Sequence, residues 1–364
     1  MINLEILEEK LFSARTSIFQ GSVMSENLKV IEINSKSGLK RTPDFSKCLN
    51  LKRLVIRQST KLLVVDGSLS KLEHLKHLEI ISHGSLTRDD CDLCPVSFVS
   101  RSLKSLSELH IRGMHIRELH HSIGEMTRLK HLSLDHCSLL RTLPDSIGNL
   151  KMLMTMSLIG TPIKKLSNTI GKLESLPLDL SYLTNLFILH IWGDTPRLSE
   201  FKPGVPKIEW IEGLSDLDRL TIVVGDVTFP RINLATLSRL RILEITCVDT
   251  RSLTGLPSSL RELTLYNVKS PMGRSLFSNL TNMSSLCLVN CQLREVEFDD
   301  LLGQQLKKLR SLRLTKTAML ERLLVSRSEG LQTLEMDVCL GLMQTRGLEK
   351  LESLEAYTFG NAIP

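Results

Sequence analysis

Aromatic side chains are scarce. Phe, Trp and Tyr together make up only 4% of the 364 residues, so the interior has to be assembled from aliphatic side chains, and Leu dominates every stretch. Long apolar runs are missing. No segment approaches the ~18 apolar residues that a membrane helix needs. The start, Met1-Ile2-Asn3-Leu4-Glu5-Ile6-Leu7-Glu8-Glu9-Lys10, lacks the basic flank and apolar run of a signal peptide. No membrane partner is expected, and the expected location is cytoplasmic, where the eight cysteines are reduced thiols and not a disulfide framework. The sequons Asn279-Leu280-Thr281 and Asn282-Met283-Ser284 carry meaning only in a secreted protein.

Charge of one sign is also limited. The formal net charge is +6, which favours solubility and gives no reason to expect a nucleic-acid partner. The densest basic run is Lys36, Lys40, Arg41, Lys47, Lys52, Arg53, Arg57 and Lys61, opposed within that stretch only by Asp44; it reads as a solvated edge. Phosphate-binding GxxxxGK[ST] does not occur. The only CxxC is Cys91-Asp92-Leu93-Cys94, with His77 and His83 upstream; zinc needs four ligands, so no metal and no cofactor is expected. Nine of the ten histidines lie between His74 and His136, but no nucleophile stands beside them at a repeated place, so the chain is not expected to be an enzyme.

What is present is a repeat. The unit LxxLxL occurs as Leu51-Lys52-Arg53-Leu54-Val55-Ile56, Leu75-Lys76-His77-Leu78-Glu79-Ile80, Leu129-Lys130-His131-Leu132-Ser133-Leu134 and Leu309-Arg310-Ser311-Leu312-Arg313-Leu314. With Ile or Met allowed, fourteen units start at residues 28, 51, 75, 106, 129, 153, 186, 217, 240, 260, 283, 309, 331 and 351, mostly 20 to 26 residues apart. That spacing is the range of leucine-rich repeats. Side chains alternate along each LxL strand, so the Leu residues point inward and the intervening ones outward. One repeat cannot bury its Leu set alone; stacked neighbours pair in parallel and close a common core.

Three further features follow the same period. Ile123-Gly124, Ile147-Gly148 and Ile170-Gly171 place an Ile anchor and a Gly, read as a tight bend, on the convex side. A small polar residue at the ninth position is expected to hydrogen-bond the turning backbone; Ser59, Cys137, Thr161, Asp194, Cys291, Thr317 and Cys339 fit, whereas Val248 and Val268 mark expected irregularities. The stretch 194–210, with Pro196, Pro203, Pro206 and Trp210, reads as a protruding loop. The predicted fold is thus an α/β leucine-rich-repeat solenoid, curved, with a parallel β-sheet on its concave face. Residues 1–27 form a partial first repeat. Residues 28–364 form a solenoid of about fourteen repeats, expanded at 75–105, 153–185 and 186–216. Neither end shows a polar cap, so the chain reads as a piece of a longer protein.

Cys137-Ser138-Leu139-Leu140-Arg141-Thr142-Leu143-Pro144-Asp145-Ser146-Ile147-Gly148-Asn149-Leu150 resembles the repeats of plant intracellular immune receptors, as do GTPIKKLSNTIGKLESL at 160–176 and DLSYLTNL at 179–186. It is most similar to the repeat region of the TIR, nucleotide-binding and leucine-rich-repeat class, such as flax L-type resistance proteins. The resemblance implies a protein-recognition module of plant defence. Its partner would be a pathogen effector or the receptor's own nucleotide-binding domain. The nucleotide-binding and TIR activities have no residues here to carry them. The motif LPDSIG also occurs in scaffold proteins of the Ras pathway, so the alternative is a leucine-rich-repeat scaffold in intracellular signalling. The candidate protein-binding residues are those outward positions with the richest chemistry: His77, Glu79, His110, Arg112, His131, Ser133, Asp135, His190 and Trp192.

Overall fold

The computed structural model describes residues 6–11, 25–35, 42–59, 67–82, 103–161, 183–193, 209–224, 231–298, 306–325 and 330–360. The backbone falls into two compact units, one up to about residue 194 and the other from about residue 195 onward. The first carries β1 (Ile6–Leu11), β2 (Val30–Ser35), β3 (Arg53–Ser59), β4 (His77–Ser82), β5 (Glu108–Arg112), β6 (His131–Asp135) and β7 (Thr155–Ile159). β8 (Ile188–Gly193) lies where the units divide. The second unit carries β9 (Arg219–Val224), β10 (Ile232–Asn233), β11 (Ile242–Thr246), β12 (Leu253–Thr254), β13 (Glu262–Tyr266), β14 (Ser285–Val289), β15 (Glu295–Glu297), β16 (Ser311–Thr315), β17 (Arg322–Leu324), β18 (Thr333–Asp337), β19 (Gln344–Arg346) and β20 (Ala356–Gly360).

Within each unit the strands pair in parallel. The order is β1 through β7 in the first and β9-β11-β13-β14-β16-β18-β20 in the second. This is the leucine-rich-repeat ladder that the periodicity predicts. A strand opens two residues after each start from 28 to 331. The last start is displaced: Leu334 pairs with Tyr357 and Met336 with Phe359, so the unit begins at Leu354 and not at Leu351. The reason lies in a Leu the six-residue motif leaves out. Most units have a further apolar residue three positions before their start, and the amide of the start residue donates to its carbonyl, as in Leu75 to Leu72 (3.1 Å), Leu129 to Met126 (2.9 Å) and Leu240 to Leu237 (3.0 Å). Leu351 is that residue, bonded by Leu354 at 3.2 Å.

Alternation sets the core. Along β6 and β7 burial alternates strictly, with Leu132, Leu134, Met156 and Leu158 buried and their neighbours half-buried. The outward residues His131, Ser133 and Asp135 were expected to be exposed. They face outward but are half-buried, because parallel neighbours at the same level shield one another. Behind the ladder, the chain of the first unit runs through short 3-10 helices such as His121–Glu125 and Asp145–Asn149, with Ile123 and Ile147 buried beneath them. Gly124 serves close approach and not a bend: a Cβ there would lie 2.4 Å from the Ser146 carbonyl oxygen. In the second unit the back carries two small parallel sheets, β10–β12 and β15–β17–β19. Residues 194–208 of the expected loop lie outside the described residues. Its end does not protrude, because Trp210 is buried in the 3-10 helix Glu209–Gly213.

The ninth-position residues act on carbonyls of the preceding repeat. Thr161 Oγ1 donates to the Leu134 oxygen, and the thiols of Cys137, Cys291 and Cys339 point at the oxygens of Ile111 (3.7 Å), Leu265 (3.7 Å) and Leu314 (3.6 Å). Asp194 and the Ser59 side chain lie outside the described residues. Val268 fills the slot as a buried apolar residue without disturbing the turn, so the expected irregularity is absent there. At Val248 it is present: Cys247 is buried one place early, and Asp249 caps a short helix at Thr250–Ser252.

Burial raises the Cys137 and Cys291 thiols to about 12 and the Cys247 thiol to about 11. Two results are expected. Alkylation of the native chain at mildly alkaline pH spares these three thiols and proceeds on unfolding, because the thiolate is the nucleophile. Stability has a matching alkaline limb. Unfolded thiols release their protons near pH ~8.5, while the folded ones hold them to about 11 or 12. The contribution is therefore complete below the unfolded value and is lost as pH rises towards the folded one. Mass-mapped iodoacetamide labelling with and without urea checks the first expectation; native labelling at Cys137 would contradict it.

Candidate functional site

Parallel register turns the outward positions of the first unit into rows. At the level of the first strand residue stand Arg53, His77, Glu108, His131 and Thr155. At the level of the third stand Val55, Glu79, His110, Ser133 and Ser157. Residues more than twenty positions apart in sequence thereby become side-by-side partners.

The densest chemistry is at β3, β4 and β5. His77 Nδ1 lies 2.7 Å from Glu108 Oε2, and His77 Nε2 lies 3.4 Å from Glu79 Oε2. Arg57 Nε donates to Glu79 Oε1 at 2.7 Å. His110 Nε2 is 3.9 Å from Glu108 Oε2, and the two imidazoles sit 5.6 Å apart between centroids. His77 and Glu79 are well shielded, with side chains only 12% and 13% exposed. Burial alone would raise the Glu79 and Glu108 carboxyls. The Arg57 and His77 partners of Glu79, and the His77 partner of Glu108, outweigh it and hold both below the usual range. Burial, followed by the nearby His77, pushes His110 below the ordinary imidazole value against the pull of Glu108 and Glu79.

Further along, His131 Nδ1 meets Thr155 Oγ1 at 2.9 Å. Asp135 is occupied inside the sheet: its carboxylate accepts from Ser133 Oγ (2.8 Å), Ser157 Oγ (2.6 Å) and the Ile159 amide (2.9 Å). Arg112 is exposed, and its side chain has no hydrogen-bond or ion-pair partner among the described residues. His190 and Trp192 are half-buried on β8 and alternate with the buried Leu189 and Ile191.

The structure thus places all nine candidates on one face of the strands, joins His77, Glu79 and His110 into a cluster, and ties Asp135 to Ser133. Sequence reasoning missed Glu108 and Arg57. The signal for Glu108 was available, since it holds the same repeat position as His77. The basic run also changes meaning. Arg53 pairs with Glu32 at 3.4 Å and Arg57 with Glu79, so carboxylates from neighbouring strands oppose it, not Asp44 alone. Lys36, Lys40, Arg41 and Lys61 lie outside the described residues, as do Cys91 and Cys94.

A parallel ladder of LxxLxL units with a polar outer face defines a leucine-rich-repeat solenoid, a fold that presents side chains on a fixed sheet for interaction. Solved structures agree on the fold. A leucine-rich-repeat protein of Leptospira interrogans superposes with a TM-score of 0.59 at 22% identity, covering 86% of this chain and 73% of that one. The Drosophila Toll–Spatzle complex gives 0.54 at 17% identity, covering 91% and 42%. No protein-family profile matches the chain.

Among curated proteins the chain is similar to plant disease resistance proteins of the TIR, nucleotide-binding and leucine-rich-repeat class, over their repeats. It is 24% identical to disease resistance protein RPS4B of Arabidopsis thaliana over 296 residues, which is 79% of this chain and 22% of that protein. It is 31% identical to TMV resistance protein N of Nicotiana glutinosa over 176 residues, 44% of this chain and 15% of that protein. The chain therefore spans less than a quarter of the length of these relatives. Among the described residues no helix is long and apolar enough to cross a membrane.

Proposed function

We propose that the chain is the protein-recognition region of a plant intracellular immune receptor, acting in the cytoplasm by binding and not by catalysis. Its partner is a pathogen effector or the nucleotide-binding domain of the same receptor, and the contact surface is the outward face of β4 to β8. The observation that carries this reading is the separation of roles along each strand. Along β4 to β8 the inward LxL positions are Leu, Ile or Met and buried, whereas outward ones change from repeat to repeat: His77, Glu79, His110, Arg112, His131, Ser133, Asp135, His190 and Trp192. A rigid core with a variable face is how repeat proteins vary their partners without changing fold. Similarity to plant resistance proteins supplies the biological setting.

Arg and Trp dominate binding energy more often than other side chains, and Arg112 has no partner within the described residues to give up. The test begins with the gene: reading upstream of the Met1 codon for a phosphate-loop domain. Absence of such a domain refutes the receptor reading. If it is there, that domain is expressed separately and its binding to the repeats measured by calorimetry, with Arg112→Ala, His190→Ala and Trp192→Ala made singly and checked by circular dichroism. Loss of about 2 kcal/mol or more on Trp192→Ala or Arg112→Ala, with folding intact, is expected of an anchor residue. Unchanged binding in all three moves the interface off this face.

A further inference from the structure

We propose that the polar face of β4 and β5 holds a late first-row divalent cation, zinc foremost, bound by His77 Nδ1, Glu108 Oε2 and His110 Nε2. Among the described residues these three offer ligand atoms that all lie within 4.8 Å of one another. The separation of His77 Nδ1 from Glu108 Oε2 is 2.7 Å and that of His110 Nε2 from Glu108 Oε2 is 3.9 Å. A tetrahedral zinc with bonds near 2.0–2.1 Å sets its ligand atoms about 3.3 Å apart. The two observed separations bracket that value, and rotation of side chains alone can close the difference. The backbone need not move, because His77 and Glu108 are direct register partners on adjacent parallel strands, and His110 follows Glu108 by two residues on the same outward face.

The surroundings are those a metal site requires. A ligating histidine nearly always gives its second ring nitrogen to a carboxylate or carbonyl, which fixes the ring and its tautomer. His77 does this already: with Nδ1 towards the site, Nε2 faces Glu79 Oε2 at 3.4 Å, and Arg57 pins Glu79 from the far side at 2.7 Å. Two imidazoles and one carboxylate suit zinc and its neighbours over calcium or magnesium, which take all-oxygen sets. Three protein ligands leave a fourth position, and the outward face of the ladder gives it to solvent. The inference does not rest on the partner-binding reading, and its test reads metal alone.

Zn2+ binding by the full chain is measured against a chromogenic chelator, in a Cys91→Ser/Cys94→Ser background that removes the CxxC thiols. The expected result is one bound ion in that background, retained in His74→Gln, where the exposed histidine lies outside the cluster. Even outer-shell changes cost zinc sites about 10–100-fold in affinity. Glu79→Gln should therefore weaken binding by about that factor, and His110→Gln or Glu108→Gln by at least as much. Circular dichroism checks each variant. If His110→Gln fails to fold, the visible spectrum of Co2+ bound to the Cys91→Ser/Cys94→Ser background decides, with nitrogen and oxygen ligation and no thiolate charge-transfer band expected. Zinc binding abolished by the Cys91/Cys94 substitutions, or undiminished by His110→Gln and Glu108→Gln together, overturns the proposal.

Discussion

Leu132→Ala should destabilise the first unit by about 2–5 kcal/mol, the range for truncating a buried Leu. Leu132 is 1% exposed and sits in register between Leu109 on β5 and Met156 on β7. Those neighbours cannot settle into the space, because each is fixed by its own strand hydrogen bonds. Lys130 and His131 donate to the Ser107 oxygen at 2.8 and 3.1 Å, and Met154 and Thr155 donate to the Lys130 oxygen at 2.8 and 3.0 Å. The cavity therefore stays open, and the cost belongs in the upper part of the range. Urea unfolding gives the value directly. A change near zero would mean that Leu132 is not part of a packed layer and that the alternation along β6 has been assigned to the wrong face.

The second large effect concerns a backbone position that recurs with the repeat. Gly113, His136, Gly160, Asn267, Asn290, Lys316 and Val338 each stand seven residues after their start, and each has a positive φ between 54° and 70°. That twist aims the amide at a carbonyl of the next repeat: Gly113 to Asp135 (2.9 Å), Asn290 to Thr315 (2.8 Å), Val338 to Gly360 (3.1 Å). One geometry makes opposite substitutions diverge. Gly113→Ala is expected to lose about 1–3 kcal/mol from the left-handed backbone alone. It loses more because its Cβ would stand 2.1 Å from the Ser82 carbonyl oxygen, which is fixed backbone. Val338→Gly is expected to gain about 1 kcal/mol, since a β-branched residue is strained where glycine is not. Equal signs for the two, measured by urea unfolding, would refute a shared left-handed position.

The legible part of this molecule was the part that repeats. LxxLxL gave the ladder, its parallel sense and the inward identity of residues such as Leu132 and Leu134, because burial selects one side chain in one slot. Less was legible wherever a requirement falls on the backbone. Position eight accepts Gly, Asn, His, Lys and Val, so the left-handed turn has no consistent letter. The leucine that stands three places before most starts was visible but indistinguishable from the motif's own LxxL, and at Leu351 it misplaced the last unit. For the candidate site, the face could be read and the partnerships could not. His77 and Glu108 are 31 residues apart and touch only because the intervening repeat is expanded while the register is kept.

The position-eight amides have a consequence for how such a chain can change over generations. Among the described residues, every bond of that series, and every bond from the second and third residues of a unit, reaches the adjacent unit and no farther. Excising or duplicating a full unit by unequal exchange between gene copies breaks and remakes only one layer boundary and leaves every other slot filled by the residue it had. Losing one codon inside a strand turns each Leu that follows it in that strand to the wrong side of the ladder. The lineage is thus free to vary in whole units and in outward letters, and is held fast in the phase of its leucines.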